Sequence, residues 1–292
     1  MELLIYLILF LLVLIVSSTT NKLLPFLPLP LVQILLGIVI GLFLPNTNFH
    51  LNTELFLALV IGPLLFRESE EADITAILKH WRIIVYLIFP VIFISTLSLG
   101  GLAHLLWFSL PLAACLAVGA ALGPTDLVAF ASLSERFSFP KRVSNILKGE
   151  GLLNDASGLV AFQVALTAWT TGAFSLGQAS SSLIFSILGG FLIGFVTAMT
   201  NRFLHSFLLS VRATDIASEL LLELRLPLVT FFLAEEVHVS GIIAVVVAGI
   251  LKASRFKKIT LLEAQVDTVT ETVWHTVNFM LNGSVFVILG ME

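Results

Sequence analysis

Residues 148–162 read Lys148-Gly149-Glu150-Gly151-Leu152-Leu153-Asn154-Asp155-Ala156-Ser157-Gly158-Leu159-Val160-Ala161-Phe162. Two carboxylates, Glu150 and Asp155, and a carboxamide, Asn154, lead directly into apolar sequence. The pattern predicts one long helix from about Val143 to Trp169, with Asp155 near its midpoint. A carboxylate at the centre of a membrane helix costs roughly 2.5–3.5 kcal/mol on insertion scales. Such a residue is a functional site facing the protein interior by default. Glu150 and Asn154 are four apart and share a helix face. Gly151 and Asp155 are also four apart, and Gly158 lies three further on. Small residues beside Asp155 permit close approach of another helix backbone. No basic residue lies within a helical turn of Asp155. Glu150 has Lys148 and Arg142 nearby, so a plain ion pair competes there with a functional role.

The rest of the chain supplies the membrane. Of 292 residues, 58% are hydrophobic and only 12% charged, with a mean hydropathy of +1.06. Soluble domains carry about 25% charged residues. The composition alone specifies a polytopic membrane protein; with its spans read as helices, an all-α fold with no nucleic-acid partner is expected. The net charge of −4 says little, because the placement of charge matters more than its sum. The single cysteine, Cys115, allows no intramolecular disulfide and reads as a buried inert thiol. Glu2, with no Lys or Arg in the first turn, argues against a signal peptide and for a first spanning helix.

A spanning helix needs about 20 mostly apolar residues. By that rule ten are expected, near 2–19, 23–44, 52–66, 81–102, 108–131, 143–169, 180–203, 215–235, 237–252 and 271–290. Lys and Arg test the count. Lys22; Arg67, Lys79 and Arg82; Arg136, Lys141, Arg142 and Lys148; Arg202 and Arg212; and Lys252, Arg255, Lys257 and Lys258 fall between alternate pairs of spans, and only Arg225 falls elsewhere. The positive-inside rule puts these loops in the cytoplasm and the N-terminus outside. The Gly, Ser and Thr-rich tract Thr170–Ser182 reads as a flexible external loop. Residues 1–292 read as one transmembrane domain, and the abrupt end at Leu289-Gly290-Met291-Glu292 reads as a truncation.

Helix 5 carries Gly123-Pro124-Thr125-Asp126. Pro124 has no N–H, so the Ala120 carbonyl loses its helical partner and the helix breaks. Broken membrane helices line cavities, where freed carbonyls bind cations and half-helix N-termini favour negative charge. A simple kink with Asp126 as a cap is the plain alternative. Thr125, Asp126, Glu150, Asn154 and Asp155 together supply hard oxygen ligands suited to small hard cations. A thiolate or imidazole metal site is not supported. Glu223 and Arg225 in helix 8 suggest an interhelical ion pair or a snorkelling arginine. Glu235, Glu236 and His238 suggest an external turn. Arg67, Glu68, Glu70, Glu71 and Asp73 suggest a solvated cytoplasmic junction.

On these residues the chain resembles the monovalent cation/proton antiporter-1 family, the sodium/proton exchangers. Gly123-Pro124-Thr125-Asp126 is similar to that family's Thr-Asp-Pro signature. Glu150-Gly151-Leu152-Leu153-Asn154-Asp155 is similar to its Glu-Ser-Leu-x-Asn-Asp motif. Ala234-Glu235 with residues 239–249 resembles its eighth-to-ninth helix segment, and residues 278–290 its tenth helix. The resemblance implies a thirteen-helix inverted-repeat fold with a broken helix 5, a mobile core and a dimerisation domain, of which ten helices are present. It implies a plasma-membrane antiporter, a homodimer and not an enzyme, exchanging Na+ (or K+ or Li+) for H+ with no cofactor. Asp155 would bind cation or proton in turn, with Thr125 and Asn154 arranging the site. Asn rather than Asp before Asp155 implies electroneutral exchange. Three features depart from the family pattern: Gly151 replaces a serine, Leu127 replaces a proline, and the family's core arginine has no counterpart here, Arg225 not matching its position. A non-transporting membrane subunit, a cation channel, or an intramembrane aspartyl protease using Asp126 and Asp155 are the rival readings.

Overall fold

The computed structural model of the chain describes residues 2–24, 26–43, 52–124, 139–171, 176–211, 215–253 and 261–291. Among the described residues every regular element is a helix: α1 (Glu2–Leu23), α2 (Leu29–Phe43), α3 (Thr53–Phe56), α4 (Gly62–Glu71), α5 (Ile74–Leu106), α6 (Leu112–Leu122), α7 (Lys141–Thr171), α8 (Leu176–Ser210), α9 (Ile216–Glu236), α10 (Gly241–Ala253) and α11 (Leu261–Met291). A π-helical turn, Leu57–Ile61, joins α3 to α4, so among the described residues each of the ten expected spans is represented by helix, the fifth by Leu112–Leu122 alone. The reason for that turn is Pro63. In a regular helix its ring would collide with the carbonyl of Leu59, and it has no N–H to donate. The wider turn, in which the Gly62 N–H reaches back to the Leu57 carbonyl, accommodates it.

Helix ends differ from the apolar runs that located them. α5, α7, α8 and α11 run for 33, 31, 35 and 31 residues. The tract read as an external loop is helical up to Thr171 and again from Leu176; residues 172–175 lie outside the described residues. Once a span has formed the nucleus, each further residue adds a hydrogen bond, and Ser or Thr costs well under ~1 kcal/mol to include.

The chain divides into two compact units, Met1–Leu64 with Leu208–Leu228 and Lys257–Glu292, and Leu65–Phe207 with Val229–Phe256. In the first, α2 and α11 run parallel, glycine against backbone. A Cβ on Gly41 would lie 2.8 Å from the Met291 carbonyl oxygen, and one on Gly37 3.0 Å from Gly290 Cα. Trp274 of α11 is fully buried, and its Nε1 donates to Glu223 at 3.0 Å.

In the second unit α5 and α6 are antiparallel, Gly100 meeting Leu116 and Gly123 meeting Ser95. α8 and α10 are parallel, with Gly189, Gly190 and Gly194 against Val239, Ser240 and Ala244. Strict alternation of crossings requires these relations: spans 2 and 10 share a direction, as do 7 and 9, while 4 and 5 oppose. Contacts across the fold thus agree with a count made from Lys and Arg. α8 also turns its large side chains outward. Phe185, Leu188, Phe191 and Leu192 are exposed, while Gly190, Gly194 and Thr197 are buried. Thr197 accepts a hydrogen bond from Thr230 at 3.0 Å. Small and polar groups inside with apolar groups outside is the arrangement of a protein whose solvent is lipid.

α10 is apolar up to Lys252 in its last turn and largely buried, with Ile243, Val247 and Ile250 along a half-buried stripe. Ser240 caps it by accepting from the Ile243 N–H. The preceding turn closes α9 with paired bonds, Val239 N–H to the Ala234 carbonyl and His238 N–H to the Glu235 carbonyl. His238 takes the left-handed conformation that this closure needs, at φ 58°.

The acidic stretch after Phe66 is solvated only in part: Glu71 and Asp73 are exposed, but Arg67 and Glu70 turn inward. Glu70 lies 2.9 Å from both Arg67 and Lys252, and the three side chains are only 13–15% exposed. Arg67 also reaches Glu71 at 2.7 Å. Lys252 stands over the Phe66 ring at 5.6 Å. Gly249 permits the approach, since a Cβ there would lie 2.6 Å from the Phe66 carbonyl oxygen. Charges this deep are tolerated because each has an opposite neighbour. Lys252→Met leaves Glu70 short of one partner, a loss on the order of 3 kcal/mol for a buried pair. A fall of several degrees in the unfolding temperature of the purified protein is expected, with Lys252→Arg much milder.

Candidate functional site

α6 stops at Leu122, and Gly123 and Pro124 follow as a bend. The end of α6 is held from two sides. Towards α5, Gly119 lies so near that a Cβ would be 2.7 Å from the Gly100 nitrogen. A Cβ on Gly123 would lie 2.8 Å from Ser95 Oγ, which itself donates to the Ile92 carbonyl at 3.0 Å. Towards α7, the Pro124 ring rests on Gly158. A methyl group at Gly158 would run into Pro124 Cγ and lie 3.3 Å from its Cδ.

Gly158 belongs to a stripe. Glu150, Asn154 and Gly158 recur every four residues on α7, so they share the face that meets the bend. All three are buried, Asn154 completely and Glu150 to 6% exposure. Asn154 Nδ2 donates to Glu150 Oε1 at 2.9 Å. A hydrogen bond to a carboxylate is stronger than one between neutral groups. It fixes the amide of Asn154 and turns its Oδ1 away from Glu150. Arg142, a partner considered for Glu150 from sequence, is exposed.

Asp155 lies in α7, one residue after Asn154 and three before Gly158, near the middle of the helix. Its side chain lies outside the described residues, as do Thr125 and Asp126 altogether. The described geometry therefore sets Pro124 against Gly158 and Gly123 against Ser95, and joins Asn154 to Glu150 along the same face of α7 as Gly158. Ser95 was not singled out from sequence, because a serine in an apolar helix carries no signal of what it faces. Arg225 is exposed, and Glu235, Glu236 and His238 form an exposed turn. Among the described residues no group of three or more His, Cys, Asp or Glu side chains could hold a metal ion. The chemistry available among the described residues is that of the Glu150 carboxylate and the Asn154 amide hydrogen-bonded to it, on a helix face that meets the bend after α6 at Gly158.

Residues 7–292 match the profile of the family described as sodium/hydrogen exchanger, transmembrane. The chain is 39% identical over 277 residues to a sodium, potassium, lithium and rubidium/H(+) antiporter of Bacillus subtilis, covering 95% of this chain and 41% of that protein. It is 31% identical over 294 residues to an uncharacterised Na(+)/H(+) exchanger of Escherichia coli, covering 100% of this chain and 53% of that protein. The chain thus spans about half the length of these relatives. The solved sodium proton antiporter of Methanocaldococcus jannaschii has the same fold, with a TM-score of 0.75 at 21% identity over 100% of this chain and 71% of that one.

Proposed function

The chain belongs to the sodium/hydrogen exchanger family, and from that premise we propose that it forms the ion-exchanging part of a plasma-membrane antiporter that trades a monovalent cation for a proton. The observation that carries the reading is the buried Glu150–Asn154–Gly158 face of α7, which meets the Pro124 bend at the end of α6 through Gly158. Asp155 stands on the next position of that helix. Cation and proton compete for its carboxylate, so acid displaces the cation and alkali frees the site for it. Glu150 orients Asn154 through the 2.9 Å hydrogen bond, which readies the Asn154 carbonyl oxygen as a neutral ligand. Thr125 and Asp126 follow the break directly and supply further oxygens. With Asn154 rather than a second aspartate beside Asp155, one cation exchanges for one proton and the cycle moves no net charge. A relative named for sodium, potassium, lithium and rubidium supports a site that accepts several alkali cations. Residues 1–292 act as one transmembrane domain in this reading, with the N-terminus outside and the protein a homodimer.

The test uses the longest natural form of the protein in proteoliposomes with an acid interior. External sodium, and separately potassium, is expected to alkalinise the interior. The response should be insensitive to membrane potential. No response to any alkali cation from folded, inserted protein would favour a non-transporting subunit. Cation movement without proton counterflow would favour a channel.

A further inference from the structure

We infer that Glu223 binds the transported alkali cation at a loading site of its own, on the side of the membrane where α9 begins, with Asp215 and Glu219 leading to it along α9 and oxygens of α11 beside it. That the cation is cargo rests on the antiporter reading above. All of these residues belong to the first compact unit. Glu223 is half-buried, about 10 Å along α9 from its start at Ile216. An ionisable group inside a spanning helix is costly and marks a functional site by default. Its neighbour is not the arginine beside it in sequence. Arg225, two positions on, lies about 200° around the helix and is exposed. Instead the fully buried Trp274 donates Nε1 to Glu223 Oε1 at 3.0 Å. An indole carries one N–H and no charge, so it fixes the carboxylate without neutralising it. The other acids follow a pattern. Asp215, Glu219 and Glu223 recur every four residues and trace one face of α9, from an exposed first position to half-buried ones. Like charges at this spacing repel, and a cation resting between them relieves the repulsion. α11 supplies independent evidence. Thr270 and Asn278 stand one turn before and one turn after Trp274, on the stripe that turns Trp274 towards α9. Thr270 is only 7% exposed. Among the described residues, Thr270 Oγ1 and Asn278 Oδ1 are buried and have no hydrogen-bond partner. Pro227, fully buried and four residues after Glu223, has no N–H, so the Glu223 carbonyl loses its helical donor. The atoms left unsatisfied along this stripe are oxygens, the hard ligands that suit an alkali ion.

Trp274 supplies the readout, because its emission responds to the charge beside the indole. The experiment uses the longest natural form of the protein with Trp81, Trp107 and Trp169 changed to Phe. Sodium chloride, added against choline chloride at constant ionic strength, is expected to shift the emission of Trp274 saturably. Glu223→Gln keeps the hydrogen bond, since an amide oxygen also accepts from the indole, and removes the charge. It should raise the half-effective sodium concentration roughly tenfold or more. Asp155→Asn should leave that concentration unchanged. Should the multiply substituted protein not fold, the same shift is read as the difference between the unmutated protein and Trp274→Phe. In proteoliposomes Glu223→Gln should raise the KM for sodium offered on the side where α9 begins by the same factor. The KM from the opposite side and the maximal rate should change little. A shift that choline gives equally, that follows pH and ignores sodium, or that survives Glu223→Gln would overturn the proposal. So would a shift lost in Asp155→Asn, which would make Trp274 a distant witness of the central carboxylate, or an equal rise in KM from both sides. The antiporter reading fails separately. If sodium shifts Trp274 but no alkali cation moves protons, that reading falls and the site at Glu223 stands. If exchange proceeds without any shift, the site at Glu223 falls and the reading stands.

Discussion

Asp155→Asn is expected to reduce sodium-dependent proton movement in proteoliposomes to the level of protein-free vesicles. The substitution keeps size, shape and helix, and removes one thing: the ability to exist in both a charged and a neutral form. Exchange by competition needs that ability, because the group must lose its proton to take a cation and lose the cation to take a proton. An amide can offer an oxygen to a cation but never yields or accepts a proton near neutral pH. The loss should therefore appear in both directions of exchange and at every pH. It should not come from unfolding. A neutral residue in the middle of a membrane helix costs less to insert than a carboxylate, so Asp155→Asn protein is expected to melt at the same temperature as its parent or higher. Retention of pH-coupled exchange by Asp155→Asn would overturn the one-carboxylate mechanism and move the proton to another group, with Glu150 or Asp126 the first to examine.

The carboxylate on which that proposal turns stands out in the sequence more plainly than the geometry around it. An isolated carboxylate in an apolar run is costly, so Asp155 stands out by physics alone. The span count was also legible, because lipid allows few ways to satisfy a backbone and because Lys and Arg gather on one side. Contacts between distant segments were not. Nothing in Glu70 says that it will lie 2.9 Å from Lys252, so the stretch around it reads as solvated until α4 and α10 are seen to cross at Gly249. The contact at Gly158 was half legible: small residues beside Asp155 predict a close neighbour, but Pro124 as that neighbour could not be read. Helix ends were poorly legible, since polar turns beyond the hydrocarbon extend a helix at little cost. Thr125 and Asp126, singled out by motif, lie outside the described residues.

Glycine tests the fold in a way that no other residue here can, because one substitution is expected to act with opposite signs at two places. At Gly37, α2 meets the backbone of α11, and a Cβ would collide with the Val287 carbonyl and lie 3.0 Å from Gly290 Cα. Neither atom can rotate away, since both belong to the helix itself. Gly290 faces Ile34 and Ile38 in the same way, so the two helices are interlocked and must separate as a whole to admit a methyl. Overpacking of that kind typically costs about 1–3 kcal/mol. The upper end is expected here, because lipid provides no hydrophobic penalty for separating the helices and close packing is what holds them. At Gly101, inside α5, a Cβ would meet nothing within 4 Å. Alanine there brings only the conformational advantage over glycine in a helix, about 0.5–1 kcal/mol. Gly37→Ala should thus lower the unfolding temperature of the purified protein by several degrees, and Gly101→Ala should hold or raise it. If the two behave alike, α2 and α11 do not pack as described, and the parallel pairing that supports the ten-span count loses its firmest contact.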